Sequence, residues 1–169
     1  VLALEHWRSD AFRVYGEVLH ERGVAADCVH VDEEDLPDWR EYDLIVALGG
    51  PMSVWEEAEH PWLVGEKRLV REAVAAGVPY FGVCFGSQVL ASALGAEVYR
   101  GPVPELGISP VFLTEEARRD PIFRGFPRDV EVFEWHRDAF DLPAGAVRLA
   151  RSPRYGNQAM RVGRVAYGI

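Results

Sequence analysis

A strand, a sharp turn and a helix centred on one cysteine constrain the fold of this chain most. Residues 79–83 are apolar like a short strand, and residues 87–94 have the pattern of an amphipathic helix. Between them, Cys84 has Gly82 two residues before it and Gly86 two residues after it. Glycines at these positions let a turn tighten until the nucleophile projects alone. The spacing predicts a nucleophile elbow; the alternative interpretation is a small buried cysteine that follows a strand.

The predicted position of Cys84 at the start of a helix has a chemical consequence. Unpaired amide N–H groups at a helix N-terminus favour a thiolate, so we expect the thiol pKa to fall from ~8.5 toward ~3.5–7.5. The same amides could stabilise negative charge on a substrate oxygen. The sequence therefore predicts nucleophilic chemistry at Cys84.

A second glycine-rich loop follows another apolar strand. Gly49 and Gly50 permit a tight backbone turn with exposed N–H groups, and Pro51 stiffens it. If the two strands are neighbours in a parallel sheet, this loop could aim an amide at a substrate attacked by Cys84. A plain strand-to-helix turn is the alternative interpretation.

Strand and helix patterns alternate through the first half of the chain. Strands are predicted at 1–4, 26–31 and 42–48, and helices at 10–22, with Ser9 as its cap, and at 61–76. The second half contains short strand candidates, among them 96–99, 108–113 and 130–135, and one helical turn near 120–123. We predict an α/β fold of flavodoxin-like type, in which helices flank a mostly parallel three-layer sheet with antiparallel strands in the C-terminal half. The site would then lie at the carboxyl ends of the parallel strands.

Composition excludes several classes of function. The chain has 169 residues and a net charge of −9, so no basic face for nucleic acid is expected. No apolar run approaches the ~20 residues of a membrane span. Cys28 and Cys84 are the only cysteines, which favours a reducing, cytoplasmic setting over a disulfide framework. Their spacing and that of the five histidines do not resemble a zinc site.

The two loops, taken with five further motifs in the same order, resemble a known family. The segments 49–53 and 82–88 look like those of the class I (Triad) glutamine amidotransferases, and most closely like their free-standing, GMP-synthase-like branch. The PfpI-like group also carries an elbow cysteine, but Gln88 and the Gly49-Gly50-Pro51 loop favour the amidotransferases. The further matching segments are Ala93-Leu94-Gly95-Ala96, Glu105-Leu106-Gly107, Asp120-Pro121-Ile122-Phe123, Glu134-Trp135-His136-Arg137-Asp138 and Asn157-Gln158-Ala159.

The resemblance implies hydrolysis of the side-chain amide of glutamine, or of a related γ-glutamyl amide, with release of ammonia. Cys84 would form a thioester, and the backbone amides of Gly50 and Phe85 would hold the oxyanion. The substrate-binding residues implied by the match are Gln88, Trp135, His136, Arg137 and Asp138. The family commonly carries glycine where Arg137 stands, so we expect this residue to alter the choice of amide.

The implied partners are small molecules, with no cofactor and no metal ion. Glutamine or a γ-glutamyl compound is the expected ligand. The sequence leaves open an ammonia-accepting synthase subunit and association of the chain with itself. Neither nucleic acid nor a membrane is expected as a partner.

One departure from the family concerns the general base. The family carries a His and a Glu in a motif directly after the strand that resembles residues 164–169, and no residue here matches either one. We expect residues 1–169 to be a single amidotransferase domain that is cut short just before this motif. His136 is the one histidine in a candidate site segment and is an alternative base. The other interpretations are a non-catalytic binding or regulatory relic of the fold and a γ-glutamyl peptidase.

Overall fold

Parallel strands form the first half of the sheet. This computed structural model describes residues 1–7 and 11–169. The strands β1 (Leu2–Glu5), β2 (Asp27–His30), β3 (Ile45–Ala47) and β4 (Tyr80–Gly82) pair in parallel in the order β2-β1-β3-β4. Every residue of β1 and β3 is buried, as is typical of parallel strands covered on both faces.

Helices connect these strands. The helix α1 (Ala11–Glu21) lies between β1 and β2, and α2 (Trp62–Ala75) lies between β3 and β4. A 3₁₀ turn, Trp39–Glu41, precedes β3. The helix α3 (Phe85–Ala93) follows β4 directly and packs against α2. The Ser9 cap predicted for α1 lies outside the described residues.

Antiparallel strands form the second half of the same sheet. They are β5 (Val98–Leu113), β6 (Asp129–Phe140), β7 (Val147–Arg151), β8 (Ala159–Val162) and β9 (Ala166–Gly168). The full order is β2-β1-β3-β4-β9-β8-β7-β5-β6, and β9 returns to pair in parallel with β4. The predicted α/β class is confirmed, with a mixed nine-stranded sheet in the described part of the chain.

Two details of the second half differ from the prediction. The candidates 96–99 and 108–113 belong to one strand, β5, which pairs with β6 along most of its length. The helical turn predicted near 120–123 is present, since the amide of Arg124 donates to the carbonyl oxygen of Asp120 at 2.9 Å, but the helix α4 (Glu115–Arg119) just before it was not predicted. Thr114 caps α4 by accepting a hydrogen bond from the amide of Ala117, and the acidic first turn and basic last turn match the helix dipole.

The main core lies between the parallel strands and the helices α2 and α3. Its largest wholly buried side chains include Leu2, Ile45, Leu63, Phe85 and Leu90. Burying such side chains stabilises the fold by about 1.5–3 kcal/mol each. None of the helices in the described residues is both long enough and apolar enough to cross a membrane.

Candidate active site

Cys84 occupies a strained turn between β4 and α3. Its φ is 51° and its ψ is −105°, and it is the one non-glycine residue with positive φ in the described part of the chain. A side chain in this region of backbone space costs of order 1–3 kcal/mol, and such positions cluster at functional sites. The structure therefore contains the sharp elbow that the glycine spacing predicts.

The two glycines that flank Cys84 are required by close packing. A Cβ on Gly82 would lie 2.5 Å from the carbonyl carbon of Gly86. A Cβ on Gly86 would overlap the carbonyl oxygen of Ala47 on the neighbouring strand. The amide of Gly86 donates hydrogen bonds to the carbonyl oxygens of Leu48 (3.1 Å) and Val83 (2.9 Å). The elbow is thereby fixed against the end of β3.

The glycine-rich loop after β3 lies beside the cysteine. Because β3 and β4 are parallel neighbours, Ala47 pairs with Gly82 and both strands end at the same edge. A Cβ built on Gly49 would lie 3.7 Å from the Cβ of Cys84. The structure thus brings together the two loops that the sequence singles out.

The thiol of Cys84 does not have the lowered pKa that the sequence predicts. Burial raises the pKa of this thiol; the N–H of Phe85 at the sulfur lowers it, and the charges of Glu134 and Asp138 raise it further. The net shift is upward because Cys84 lies in a desolvated site that faces two carboxylates. The expectation of a thiolate stabilised by the helix start was wrong for this chain on its own.

The β6 strand forms the opposite wall of the site. The sulfur of Cys84 lies 3.9 Å from the carbonyl oxygen of Trp135, while the Trp135 side chain is 69% exposed. The Ser53 hydroxyl donates to the carboxylate of Asp138, which also lies 3.5 Å from the guanidinium of Arg100. This Ser53–Asp138 bond ties the glycine-rich loop to β6 across the site.

The remaining predicted binding residues divide into two groups. Gln88 is buried one helical turn after Cys84, and its Oε1 has no hydrogen-bond partner in the described residues, so this atom is free to bind a ligand donor. Arg137 is turned aside, since its Nε donates to the carbonyl oxygen of Gly101 at 3.3 Å. The structure therefore places the main chain of Arg137 near the site but gives its guanidinium a protein partner.

His136 belongs to a buried acidic cluster. Its Nδ1 lies 3.1 Å from the carbonyl oxygen of Asp138 and must donate to it, because a carbonyl only accepts. Its Nε2 lies 3.2 Å from Glu105 and 3.3 Å from Glu134. Burial alone lowers the pKa of His136, but the hydrogen bond and charge of Glu134, assisted by Asp138 and Glu105, raise it overall.

The same cluster contains the residues most able to hold a cation. Glu105, Glu134 and His136 each place one ligand atom within 4.8 Å of the others. Gln158 donates to Glu105 at 2.6 Å and Ser152 donates to it at 2.8 Å, so the carboxylate is already well supplied with donors. The arrangement is that of an imidazolium held between two carboxylates.

Sequence reasoning missed Ser53, Glu105 and Glu134 as members of this region. Glu134 and His136 are two residues apart on a strand and so share a face, which was a usable signal. Glu105 is opposite His136 only through the β5–β6 register, which the sequence does not display.

Comparison with known proteins identifies the family. The family described as Glutamine amidotransferase class-I matches residues 13–166. The chain belongs to this family. The resemblance given by the loop motifs is thereby confirmed.

Individual relatives are consistent with this assignment. The glutamine amidotransferase-like protein YfeJ of Salmonella typhimurium is 35% identical over 83% of this chain and 60% of its own length. A glutamine-hydrolyzing GMP synthase subunit of Saccharolobus solfataricus is 34% identical over 78% of this chain and 64% of its own length. The chain thus spans under two thirds of the length of these curated relatives.

Solved structures agree with the fold. A glutamine amidotransferase from Thermotoga maritima superposes with a TM-score of 0.90 and 36% identity, over 99% of this chain and 73% of that one. A glutamine amido transferase from Methylobacillus flagellatus superposes with a TM-score of 0.90 and 30% identity, over 100% of this chain and 68% of that one.

Proposed function

We propose that this domain hydrolyses the side-chain amide of glutamine through a cysteine thioester. The observation that carries the proposal is the strained backbone of Cys84, which holds its sulfur between the Gly49–Gly50 loop and the main chain of β6. A nucleophile in such a position can reach a carbonyl carbon while main-chain groups surround the substrate.

The reaction divides into two steps. The Cys84 sulfur attacks the amide carbon, its proton passes through a general base to the leaving nitrogen, and ammonia departs as the thioester forms. Water then attacks the thioester, which releases glutamate and restores the thiol. The amides of Gly50 and Phe85 stabilise the oxyanion in both steps, and removal of such a donor typically costs about 10²–10³ in rate.

In this proposal, Gln88 and the main chain of β6 bind the substrate. Gln88 is buried with an unused oxygen near the nucleophile, and the main chain of Trp135, Arg137 and Asp138 supplies donors and acceptors for the amino-acid end. His136 holds this segment in place from its acidic cluster.

The general base is also part of the proposal. With a raised thiol pKa, Cys84 needs a base to give up its proton. In the described residues no imidazole is hydrogen-bonded to the sulfur, and both nitrogens of His136 have protein partners. The amide of Cys84 donates to the carbonyl oxygen of Ile169 at 2.8 Å, so the main chain that follows β9 lies against the elbow. We propose that the base approaches the sulfur from the edge of the sheet at which β4 and β9 end.

A partner and a location complete the proposal. The relatives that are GMP synthase subunits support an ammonia-accepting synthase as partner. A cytoplasmic location and self-association stay predictions.

One observation favours a second candidate, a non-catalytic binding module. The raised pKa of the Cys84 thiol and the absence of an imidazole at the sulfur, within the described residues, are also what a relic of the fold would show. The two candidates differ in whether ammonia is released.

The test is an ammonia assay on the full-length protein with glutamine and a panel of γ-glutamyl amides. We expect release from the wild type and from Cys28→Ala, whose cysteine lies at β2 away from the elbow, and a loss of at least about 10³-fold in Cys84→Ala. Equal rates for Cys84→Ala and wild type would exclude the proposed nucleophile. No release by either protein, with retained glutamine binding, would support the binding module.

A further inference from the structure

A buried hydrogen-bonded pair lies behind the two loops of the site and has no part in the chemistry described so far. The Nε2 of His6 lies 2.8 Å from the Oε1 of Glu66, and both side chains are 0% exposed. His6 follows β1, and Glu66 lies in the middle of α2. Burying polar side chains away from water costs free energy unless their hydrogen bonds are satisfied, and packed hydrophobic residues often serve stability as well or better. The pair therefore calls for an explanation other than stability.

His6 contacts the residues that carry both proposed oxyanion donors. A Cβ built on Gly50 would lie 3.0 Å from the Cβ of His6, so the glycine-rich loop packs directly on this side chain. The His6 ring meets the Phe85 ring edge-on, with centroids 4.8 Å apart and planes at 72°. The His6 side chain thus lies against the loop with its Cβ and against the first residue of α3 with its ring.

Glu66 connects the pair to Tyr80, whose hydroxyl binds the second glycine of the elbow. Burial, and then the charge of Glu66, raise the pKa of Tyr80 well above its usual value, so the phenol stays a donor. The Tyr80 hydroxyl donates to the carbonyl oxygen of Gly86 at 2.8 Å. The carboxylate therefore lies close to the group that fixes the second glycine of the elbow.

In the described residues, the His6 and Glu66 side chains hydrogen-bond to each other and to no other group. His6 Nδ1 and Glu66 Oε2 have no hydrogen-bond partner in the residues that the structure describes. Removal of either partner would leave the other as an uncompensated buried polar group, whereas replacing both by a pair of amides would not.

We propose that His6 and Glu66 are positioning residues, which set the spacing between the Gly50 amide and the Phe85 amide that together hold the oxyanion. The inference rests on the proposed hydrolysis of glutamine. It assigns to neither residue any contact with the substrate. Its consequence is kinetic, since a displacement of about 1 Å in a catalytic group can cost up to about 10²-fold in rate.

The experiment compares four variants of the full-length protein in the ammonia assay. His6→Gln and Glu66→Gln should each lower kcat by at least about tenfold and leave KM within about twofold. The double variant should recover kcat to within about threefold of wild type, because a neutral pair removes the uncompensated group. Alkylation of Cys84 by iodoacetamide, which needs no oxyanion donors, should stay within about twofold throughout.

The fourth variant, Asp120→Asn, is the matched control. The Asp120 carboxylate is also 0% exposed and lies 2.9 Å from Arg161, but it accepts a hydrogen bond at 3.2 Å from Tyr167, a residue of the smaller core around β7 and β9. We expect this variant to lose stability and keep kcat. Equal loss of kcat in Asp120→Asn and His6→Gln would overturn the positioning role, as would a loss of kcat matched by a loss of alkylation.

Failure of this inference is distinguishable from failure of the proposed function. An inactive Cys84→Ala together with a fully active His6→Gln or Glu66→Gln would refute the positioning role alone. An active Cys84→Ala would refute the cysteine mechanism itself. If His6→Gln does not fold, Glu66→Gln and the double variant give the same comparison.

Discussion

At the scale of single residues, backbone geometry decides what the elbow tolerates. Gly86→Ala would drive a methyl group into the carbonyl of Ala47, a backbone atom that cannot give way cheaply. We expect a loss of at least about 1–3 kcal/mol in the free energy of unfolding, measured in urea. Gly156→Ala is the control, because the nearest atom to its added Cβ is 3.9 Å away; it should change stability by under about 1 kcal/mol. Equal effects of the two substitutions would contradict the crowding at the elbow.

The electrostatics of Cys84 give a second prediction at this scale. The charge of Glu134 helps to raise the pKa of the thiol, so Glu134→Gln should lower that pKa and speed alkylation of Cys84 at about pH 8. Glu131→Gln is the control, because Glu131 is exposed on the same strand but on the opposite face. The measurement is the iodoacetamide rate from about pH 6 to 10. A slower rate in Glu134→Gln would show that its charge does not act on the sulfur.

At the scale of elements, the features set by neighbouring residues could be predicted from the sequence, and the pairing of strands could not. The elbow follows from residues within a few positions of Cys84, so the sequence was sufficient to predict it. The β5 strand contains Pro102, Pro104 and Gly107, which hid its continuity. Pairing with β6 overrides these weak local preferences, and the same register creates the Glu105–His136 contact. The raised thiol pKa was missed for a related reason, because both the burial of Cys84 and the carboxylates near it depend on tertiary packing, and those carboxylates lie on another strand.

The short helix α4 depends on its cap. Thr114 accepts from the amide of Ala117 and its hydroxyl also donates to the carbonyl oxygen of Arg148 at 2.8 Å. Thr114→Ala should lower the free energy of unfolding by about 1 kcal/mol, within a range of roughly 0.5–2. Thr114→Ser keeps the hydroxyl and should recover most of this loss. Urea unfolding of the three proteins is the measurement, and an unchanged Thr114→Ala would show that the cap contributes little.

The His136 cluster joins β5 and β6 and should make stability depend on pH. Because folding raises the pKa of His136, the protonated ring stabilises the fold fully below the unfolded value of about 6.5. This contribution is lost as pH rises through the folded pKa. The stability difference between wild type and His136→Gln should therefore shrink as pH rises from about 6 to 9, in urea unfolding. His20→Gln, an exposed position on α1, should show no such trend; a trend of opposite sign for His136 would mean that the ring is neutral in the fold.

At the scale of the whole molecule, the site lies where the parallel and antiparallel halves meet. The parallel half supplies Cys84 and the glycine-rich loop, and the antiparallel half supplies β6. Ser53 joins them, since its hydroxyl donates to Asp138 while its amide donates to Glu56 at 2.8 Å. In the proposed mechanism, a substrate held by β6 and attacked from the elbow requires the two halves to keep a fixed spacing.

Loss of the Ser53–Asp138 bond should weaken substrate binding as well as the fold. Ser53→Ala leaves the Asp138 carboxylate without its hydroxyl donor, so the β6 main chain can shift relative to Cys84. We expect kcat/KM for glutamine to fall roughly tenfold, chiefly through a higher KM, and the free energy of unfolding to fall by about 1–3 kcal/mol. Ser109→Ala on β5, which lies outside the site, should leave both quantities near wild type. Unchanged kinetics in Ser53→Ala would show that the halves keep their spacing without the bond, because sheet pairing through β9 and β4 already fixes it.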